Sequence, residues 1–179
     1  NKAIFINPYD KRMFINKKNF YKCKLIPTEG IEKIKYKVKN NKKKNIIFFA
    51  RIIKQKGILD YISAARILKI KYPHLNFYIA GPTKKSIVGQ SRSFDVIKEL
   101  KNENNINYLG YLNKYKKIYS KMDCLISPSR TEGAGTSVME ALQAGLFVIA
   151  YKNHGHQYVL NQTQNIICQG NIFLNFNIQ

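Results

Sequence analysis

The sequence predicts an α/β fold in which a parallel sheet carries helices on both faces. Short apolar runs alternate with longer amphipathic stretches between residues 45 and 151, and glycine or proline residues separate several of them. Such alternation is typical of strand–helix–strand units with right-handed crossovers. The 179 residues are 45% hydrophobic, which is enough for one well-packed core. No segment repeats at a fixed spacing, so a repeat architecture is not indicated.

The elements follow one another in order along this stretch. Apolar runs predict strands at 45–51, 75–81, within 106–112, at 124–127 and at 147–151. Helical spacing of apolar residues predicts helices at 57–72, 94–102, 114–122 and 138–144. Pro73 stops the first of these helices, and Gly145 is well placed to cap the last.

The segments on either side are less regular. Residues 1–33 contain a short strand in "AIFIN", a helix over 10–15 and a second strand at 23–27. Residues 34–44 are nearly all Lys, Asn and Tyr, which predicts a solvated basic linker. Beyond Gly155 the periodicity weakens, so we expect only a short helix near 156–161 and an irregular tail over 161–179.

Composition limits the partners and the compartment. The formal net charge is +21, from 31 Lys and Arg against 10 Asp and Glu, and it would attract nucleic acid or an anionic membrane surface. The excess is mostly Lys in a background rich in Asn and Ile, which an AT-rich coding sequence also produces. Three widely spaced cysteines indicate neither a disulfide framework nor a zinc site, and they favour a reducing, cytoplasmic compartment. No apolar run reaches the length of a membrane helix, and the first residues lack the order of a signal peptide.

The stretch "SPSRTEGAGTSVMEALQAG" carries the clearest chemical signal. Gly133 and Gly135 form a turn that opens a helix, and the backbone N–H groups at such a turn, here at Thr136 and Ser137, favour an anion such as phosphate. Glu132 and Glu140 frame the turn, and a carboxylate can accept hydrogen bonds from two adjacent sugar hydroxyls. The combination predicts a nucleotide-sugar site.

Other polar residues fall at the same predicted edge of the sheet. Arg51 and Lys56 follow the first regular strand and could clamp a pyrophosphate, although they are two of many cations. Gly81 ends the second strand at a sharp turn. His154 and His156 flank Gly155, but no third ligand lies nearby in the sequence, so we expect no metal site.

These residues resemble glycosyltransferase family 4. The segments "FFARIIKQKGILDYISAARILKIKYPHLNFYIAG" and "INYLGYLNKYKKIYSKMDCLISPSRTEGAGTSVMEALQAGLFVIA" are similar to the C-terminal, donor nucleotide-sugar-binding domain of that family. The family's paired glutamates match Glu132 and Glu140, and its pyrophosphate clamp matches Arg51 and Lys56. "INPYDKRMF" and "CKLIPTEGIE" resemble the segments that close the family's first domain and enter its second.

The resemblance implies the donor half of a GT-B enzyme, built from two Rossmann-like domains, that retains anomeric configuration without a metal or other cofactor. Its donor would be a UDP- or GDP-sugar, transferred to a glycan or lipid-linked acceptor in polysaccharide biosynthesis. By carry-over, Arg51 and Lys56 hold the diphosphate, assisted by amides of the Gly135–Ser137 turn. Glu140 binds the ribose, and Glu132 faces the donor sugar. We count Glu132, Arg51 and Lys56 as catalytic, and Gly81 and Gly133 with the donor-binding residues.

The resemblance also divides the chain. Residues 1–33 would be the end of the acceptor-side domain and the interdomain connection, 34–44 the basic linker, 45–160 the donor domain and 161–179 a truncated tail.

The sequence departs from the family where Tyr158 follows Gly155 at the family's G-x-x-E motif, and where C-terminal helices have no counterpart in 161–179. We therefore expect a cytoplasmic donor half, in peripheral contact with the inner membrane face. Without the N-terminal acceptor domain it would bind nucleotide weakly and transfer nothing.

Two alternatives remain open. UDP-sugar epimerases share the GT-B fold, although the glutamate pair fits the transferase pattern better. A basic, non-enzymatic nucleic-acid module rests on net charge alone and would need exposed aromatic residues along a basic stripe. Tyr61 and Tyr78 lie at core-like positions instead, so we expect no nucleic-acid partner.

Overall fold

The structure, a computed structural model, describes residues 2–15, 22–26, 30–34, 44–82, 100, 103–114, 116–161 and 165–168. Its strands are β1 (Lys2–Phe5), β2 (Lys22–Leu25), β3 (Lys44–Phe49), β4 (Leu75–Ala80), β5 (Ile106–Tyr108), β6 (Cys124–Ser127), β7 (Phe147–Tyr151) and β8 (Ile166–Cys168). Its helices are α1 (Pro8–Ile15), α2 (Ile58–Lys71), α3 (Lys116–Tyr119), α4 (Thr136–Gln143) and α5 (His154–Leu160), with a short 3-10 turn at Lys54–Lys56.

Six strands form one parallel sheet in the order β5-β4-β3-β6-β7-β8. Successive residues of β3 face opposite sides of this sheet, so Ile46 and Phe48 enter one hydrophobic core while Ile47 enters the other. Helix α2 contributes to the first core, and α4 to the second. The predicted α/β fold, a Rossmann-like parallel sheet with helices on both faces, is confirmed.

Helix α2 is anchored by a tyrosine in its core-facing stripe. Ile58, Tyr61, Ile62, Ala65 and Leu68 are buried, which is the spacing of one helix face. The Tyr61 hydroxyl shares its single hydrogen between the backbone oxygens of Ile46 (2.9 Å) and Tyr78 (2.8 Å). The burial raises the pKa of Tyr61 well above its ordinary value, because the charged form would lose its water. Tyr61 therefore ties α2 to both central strands.

The connections place a crevice between two neighbouring strands. From β3 the chain proceeds to β4 and β5 on one side of the sheet, and from β6 it proceeds to β7 and β8 on the other. Because the order reverses between β3 and β6, the segments that follow their carboxyl ends diverge and leave room for a ligand. The predicted site segments, after Phe49 and after Ser127, begin at this point.

A smaller, two-stranded parallel sheet pairs β1 with β2. Helix α1 joins these strands and contacts α5 of the larger unit. The predicted division at residues 33 and 44 stays a prediction, and residues 35–43 of the basic linker lie outside the described residues. At the linker's first residue, the buried Ile34 donates its N–H to Oε1 of Gln143 at 2.6 Å.

Several elements differ from the predictions, and α3 covers only Lys116–Tyr119 of the predicted 114–122. Helix α4 begins at Thr136, not Val138, because its first two residues are polar and give no hydrophobic periodicity. Ile166–Cys168, within the tail predicted to be irregular, pair with β7 as β8, since an edge strand needs only a short apolar run. The helix predicted at 94–102 falls almost wholly outside the described residues. None of the helices within the described ranges is long and apolar enough to cross a membrane.

Candidate active site

A cavity of about 380 Å³ lies at the crevice between β3 and β6; we call it the α4 cavity. It gathers the predicted residues that follow β3 with those that follow β6, although they are far apart in the sequence. Its lining comprises Phe49, Ala50, Arg51, Lys56, Pro82, Glu132, Gly135, Thr136, Ser137 and Glu140. The structure thus brings most of the predicted site residues to one concave surface.

Glu140 is the buried acidic group of this cavity. It lies on α4 and is only 7% exposed. The Tyr119 hydroxyl donates to its Oε2 at 2.8 Å and fixes one carboxylate oxygen. Within the described ranges, no donor reaches the other oxygen, Oε1. Because a buried carboxylate oxygen without a donor is costly, Oε1 is suited to accept hydrogen bonds from a ligand's hydroxyl groups.

Backbone amides at the start of α4 form a second feature. Gly135 has φ +60°, a left-handed conformation that favours glycine and turns the chain into the helix. None of the described residues accepts a hydrogen bond from the backbone N–H of Thr136 or Ser137. Unpaired amides at a helix N-terminus, together with the helix dipole, favour an anion at this end of the cavity.

Two cations face these amides. Arg51 follows β3 and is exposed, and Lys56 lies in the 3-10 turn that follows. Lys56 Nζ lies 2.6 Å from Glu132 Oε1, with both side chains largely buried. An ammonium group has three donors, so Lys56 can keep this ion pair and still donate to a phosphate oxygen.

The Glu132–Gly133 segment is held from two sides by residues that the sequence analysis did not select. Asn7 is fully buried and donates from Nδ2 to the backbone oxygen of Gly133 at 2.9 Å. On the other side, a Cβ atom at Gly155 would overlap the backbone oxygen of Glu132. Only glycine therefore allows α5 to approach the segment that carries Glu132. Both residues lie in segments that resemble the family, but nothing in the sequence indicated these contacts, because the partners are distant along the chain.

A second cavity, of about 530 Å³, lies on the other side of this segment; we call it the α1 cavity. It shares Lys56 and Glu132 with the α4 cavity. Its other lining residues are Asp10, Arg130, Thr131, Gly133, Lys152, Asn153 and His154. His154 Nδ1 and Asp10 Oδ1 are 2.6 Å apart, and the Tyr9 ring stacks on the His154 ring at 5.9 Å. The ion pair between Lys56 and Glu132 is the wall between the two cavities.

His154 and His156 make separate contacts. His156 is buried, and its Nδ1 donates to the Tyr151 oxygen (2.7 Å), so Nε2 accepts from the Ser127 hydroxyl (3.2 Å). Burial lowers the pKa of His156, although its backbone hydrogen bond and Glu132 act in the opposite direction. His154 pairs with Asp10 instead. Among the described residues, no group of three His, Cys, Asp or Glu side chains could hold a metal.

Two predicted glycines lie outside the α4 cavity's lining. Gly81, with φ +147°, is buried where a Cβ would overlap the Ala50 oxygen, so its small size allows the ends of β3 and β4 to pack together. Pro82 lines the cavity in its place. Gly133 lines the α1 cavity. Arg51, Lys56, Glu132, Gly135, Thr136, Ser137 and Glu140 meet as predicted, and their roles stay predictions.

The fold and the crevice define an α/β domain of the Rossmann-like type found in GT-B glycosyltransferases. The family model "Glycosyl transferases group 1" matches residues 30–177, so the chain belongs to this family. An uncharacterized glycosyltransferase of Haemophilus influenzae is 24% identical over 141 residues, which are 76% of this chain and 38% of the relative.

Solved structures agree in fold. A variant of S. aureus TarM, in complex with fondaparinux, alpha-GlcNAc-glycerol and UDP, has a TM-score of 0.79 and 17% identity over 97% of this chain and 34% of its own. Anabaena HepE in complex with UDP and glucose has a TM-score of 0.72 and 18% identity, covering 95% and 50%. The chain thus spans between a third and a half of these relatives.

Proposed function

We propose that the α4 cavity binds the nucleotide-sugar donor of a retaining, family 4 glycosyltransferase. The observation that carries this proposal is a carboxylate oxygen of buried Glu140 that no donor of the described residues reaches, in one cavity with two cations and with two amides that none of those residues accepts from. Carboxylates suit the hydroxyl groups of a ribose, and amides and cations suit a diphosphate. A nucleoside diphosphate contains both groups, so it matches the two chemical halves of the cavity.

The same arrangement accounts for transfer. The bond between the anomeric carbon and the diphosphate oxygen breaks, and its electron pair stays on the diphosphate. Arg51, Lys56 and the amides of Thr136 and Ser137 stabilise that charge. The acceptor hydroxyl then forms the new glycosidic bond and gives its proton to an oxygen of the departing diphosphate, while Glu132 faces the sugar ring. The proposal assigns no metal, because the protein's own cations and amides supply the charge stabilisation.

We further propose that the nucleotide is UDP. Support comes from the solved relatives, since both the TarM variant and HepE were solved with UDP. The net charge of +21 suits an enzyme that acts in the cytoplasm at the inner membrane face, on a glycan or lipid-linked acceptor of polysaccharide biosynthesis. Transfer would also require a partner domain of the kind that makes the relatives longer, so these residues alone should not transfer sugar.

Calorimetric titration of UDP, GDP and ADP tests the donor site. We expect selective binding of UDP, and we expect Glu140→Gln to weaken it about tenfold, since one charge-assisted hydrogen bond is lost. Glu103→Gln is the matched control, because Glu103 pairs with Arg66 away from both cavities. Equal binding of all three nucleotides, with equal effects of the two variants, would contradict the proposal.

A second pair of variants distinguishes a specific contact of Lys56 with the diphosphate from a general effect of the protein's net charge. Lys56→Ala and Lys54→Ala remove the same charge from the same 3-10 turn, but Lys54 is exposed and lines neither cavity. We expect Lys56→Ala to weaken UDP binding about tenfold and Lys54→Ala to change it less than about twofold. Equal losses that vanish at high salt would mean that only the net charge attracts the nucleotide.

A further inference from the structure

The α1 cavity carries an excess of positive charge. Each of its two acidic residues has a close cationic or hydrogen-bonding partner: Glu132 pairs with Lys56, and Asp10 contacts His154 and Asn7. The Lys152 ammonium, by contrast, contacts no acidic group of the described residues. Arg130 is 72% exposed, and the one acidic group that it reaches among the described residues is that of Asp60, at 3.7 Å. Lys152 and Arg130 are therefore available to bind a negatively charged group of a ligand.

The same cavity offers partners for hydroxyl groups. With Nδ1 against Asp10, His154 keeps Nε2 for a ligand, and the stacking of Tyr9 fixes the ring. Within the parts of the chain that are described, the Thr131 hydroxyl also makes no hydrogen bond. An imidazole nitrogen and a hydroxyl group on one concave surface match the hydroxyl groups of a sugar ring.

The position of the α1 cavity indicates which substrate of the transfer reaction it would bind. The ion pair between Lys56 and Glu132 lines both cavities, so a ligand in the α1 cavity lies beside the end of the α4 cavity where the diphosphate's cations are found. We propose that the α1 cavity binds the acceptor through a sugar that carries a phosphate or carboxylate group. This inference rests on the proposed function, because it assigns the α4 cavity to the donor.

Binding of glucose 6-phosphate, glucose and inorganic phosphate to the whole chain, with and without UDP, tests this inference. We expect glucose 6-phosphate to bind at least about tenfold more tightly than either glucose or phosphate, because it engages both the cations and the hydroxyl partners. Glucuronate shows whether a carboxylate replaces the phosphate. Binding of glucose 6-phosphate no tighter than that of phosphate, or no tighter than that of glucose, would overturn the proposal.

Two lysine variants locate the binding. Lys152→Ala should weaken glucose 6-phosphate binding about tenfold, and Lys152→Arg should restore most of it. Lys121→Ala removes the same charge at the opposite, amino end of the sheet, next to Asn45, and should change binding less than about twofold. Both lysines are exposed, so the variants should fold normally. Equal effects of Lys152→Ala and Lys121→Ala would refute the assignment.

UDP titrations on the same samples distinguish this inference from the proposed function. If UDP binds and glucose 6-phosphate does not, the acceptor assignment is wrong and the donor assignment stands. If glucose 6-phosphate binds at the α1 cavity and UDP does not bind, the donor assignment fails, and the α1 cavity remains an anionic-sugar site without the role of acceptor site.

Discussion

The two cavities share one ion pair but are built differently. The α4 cavity is formed by segments that directly follow β3, β4 and β6 and by the first turns of α4, so its shape follows from the sheet and its order of strands. The α1 cavity needs Asp10 of α1 to meet His154 of α5, two residues far apart in the sequence. Its geometry therefore depends on long-range contacts between side chains, whereas that of the α4 cavity depends on the backbone of the sheet.

The electrostatics of the cavities differ as well. In the α4 cavity a buried carboxylate oxygen and two backbone amides have no hydrogen-bond partner among the described residues, which prepares the cavity for a ligand with hydroxyl and phosphate groups. In the α1 cavity the acidic groups are already paired, whereas Lys152 contacts no acidic group of the described residues and Arg130 reaches Asp60 only at 3.7 Å. The ion pair between Lys56 and Glu132 thus lines two cavities whose charged groups are arranged differently.

Gly155→Ala should have the largest effect, because it would break both cavities at their shared wall. The new Cβ meets backbone atoms of Glu132, which cannot move without displacing the Glu132 carboxylate. We expect a loss of about 3 kcal/mol in the free energy of unfolding, measured by urea denaturation, and weaker binding at both cavities. Gly133→Ala is the control: its Cβ meets mainly the end of the Ile6 side chain, at 2.5 Å, which can rotate away. A milder effect of Gly155→Ala than of Gly133→Ala would contradict this account.

Tyr119→Phe should affect the α4 cavity selectively. It removes the hydroxyl that donates to Glu140 and leaves a buried carboxylate with one partner fewer. We expect a loss of about 2 kcal/mol in the free energy of unfolding, together with weaker UDP binding and unchanged glucose 6-phosphate binding. Tyr61→Phe also removes a buried tyrosine hydroxyl, but one bonded to core backbone oxygens. It should reduce stability without changing UDP affinity, and a similar loss of UDP affinity in both variants would argue against a specific role for Tyr119.

Asn7→Ala should affect the α1 cavity selectively. Asn7 Oδ1 accepts the backbone N–H of Asp10 at 2.8 Å as α1 begins, and its Nδ2 donates to Asp10 Oδ2 and to the Gly133 oxygen. Loss of this cap and of a buried donor should lower the free energy of unfolding by about 1–2 kcal/mol. Titration of the variant should show weaker glucose 6-phosphate binding with UDP affinity nearly retained. A larger loss for UDP would mean that Asn7 supports Glu132 more than it supports Asp10.

A smaller effect should appear on acidification, through His156 beneath the α4 cavity. Burial lowers its pKa in the folded state below the ordinary value of 6.5, so just below pH 6.5 the unfolded chain binds a proton that the folded chain does not. Falling pH then favours the unfolded state, by at most about 1.4 kcal/mol per pH unit. The stability difference between wild type and His156→Gln, measured by urea denaturation, should shrink as the pH falls below 6.5 and stay constant above it. Parallel curves across this range would show that His156 does not cause the effect.

The sequence predicted the fold and most of the α4 cavity because those features have local signals. Each strand is an apolar run, each helix repeats at helical spacing, and parallel strands place the segments after Phe49 and Ser127 at one edge. The start of α4 was predicted two residues too late and the short strand β8 was missed, since neither segment has enough periodic apolar residues to give a signal. Gly81 was predicted to bind the donor, but its contact with Ala50 is one that no local pattern reveals.

The order of apolar and polar residues along the chain is enough to specify the class of fold and the kinds of group that meet at the carboxyl edge of the sheet. The partners of those groups depend on how distant elements pack. Tyr119 donates to Glu140, and Asn7 donates to the backbone of Gly133. Gly155 packs against the backbone of Glu132, and Asp10 pairs with His154. The physical reason is that hydrophobic periodicity is set by near neighbours along the chain, whereas a side-chain hydrogen bond or a close approach between backbones depends on where distant elements pack.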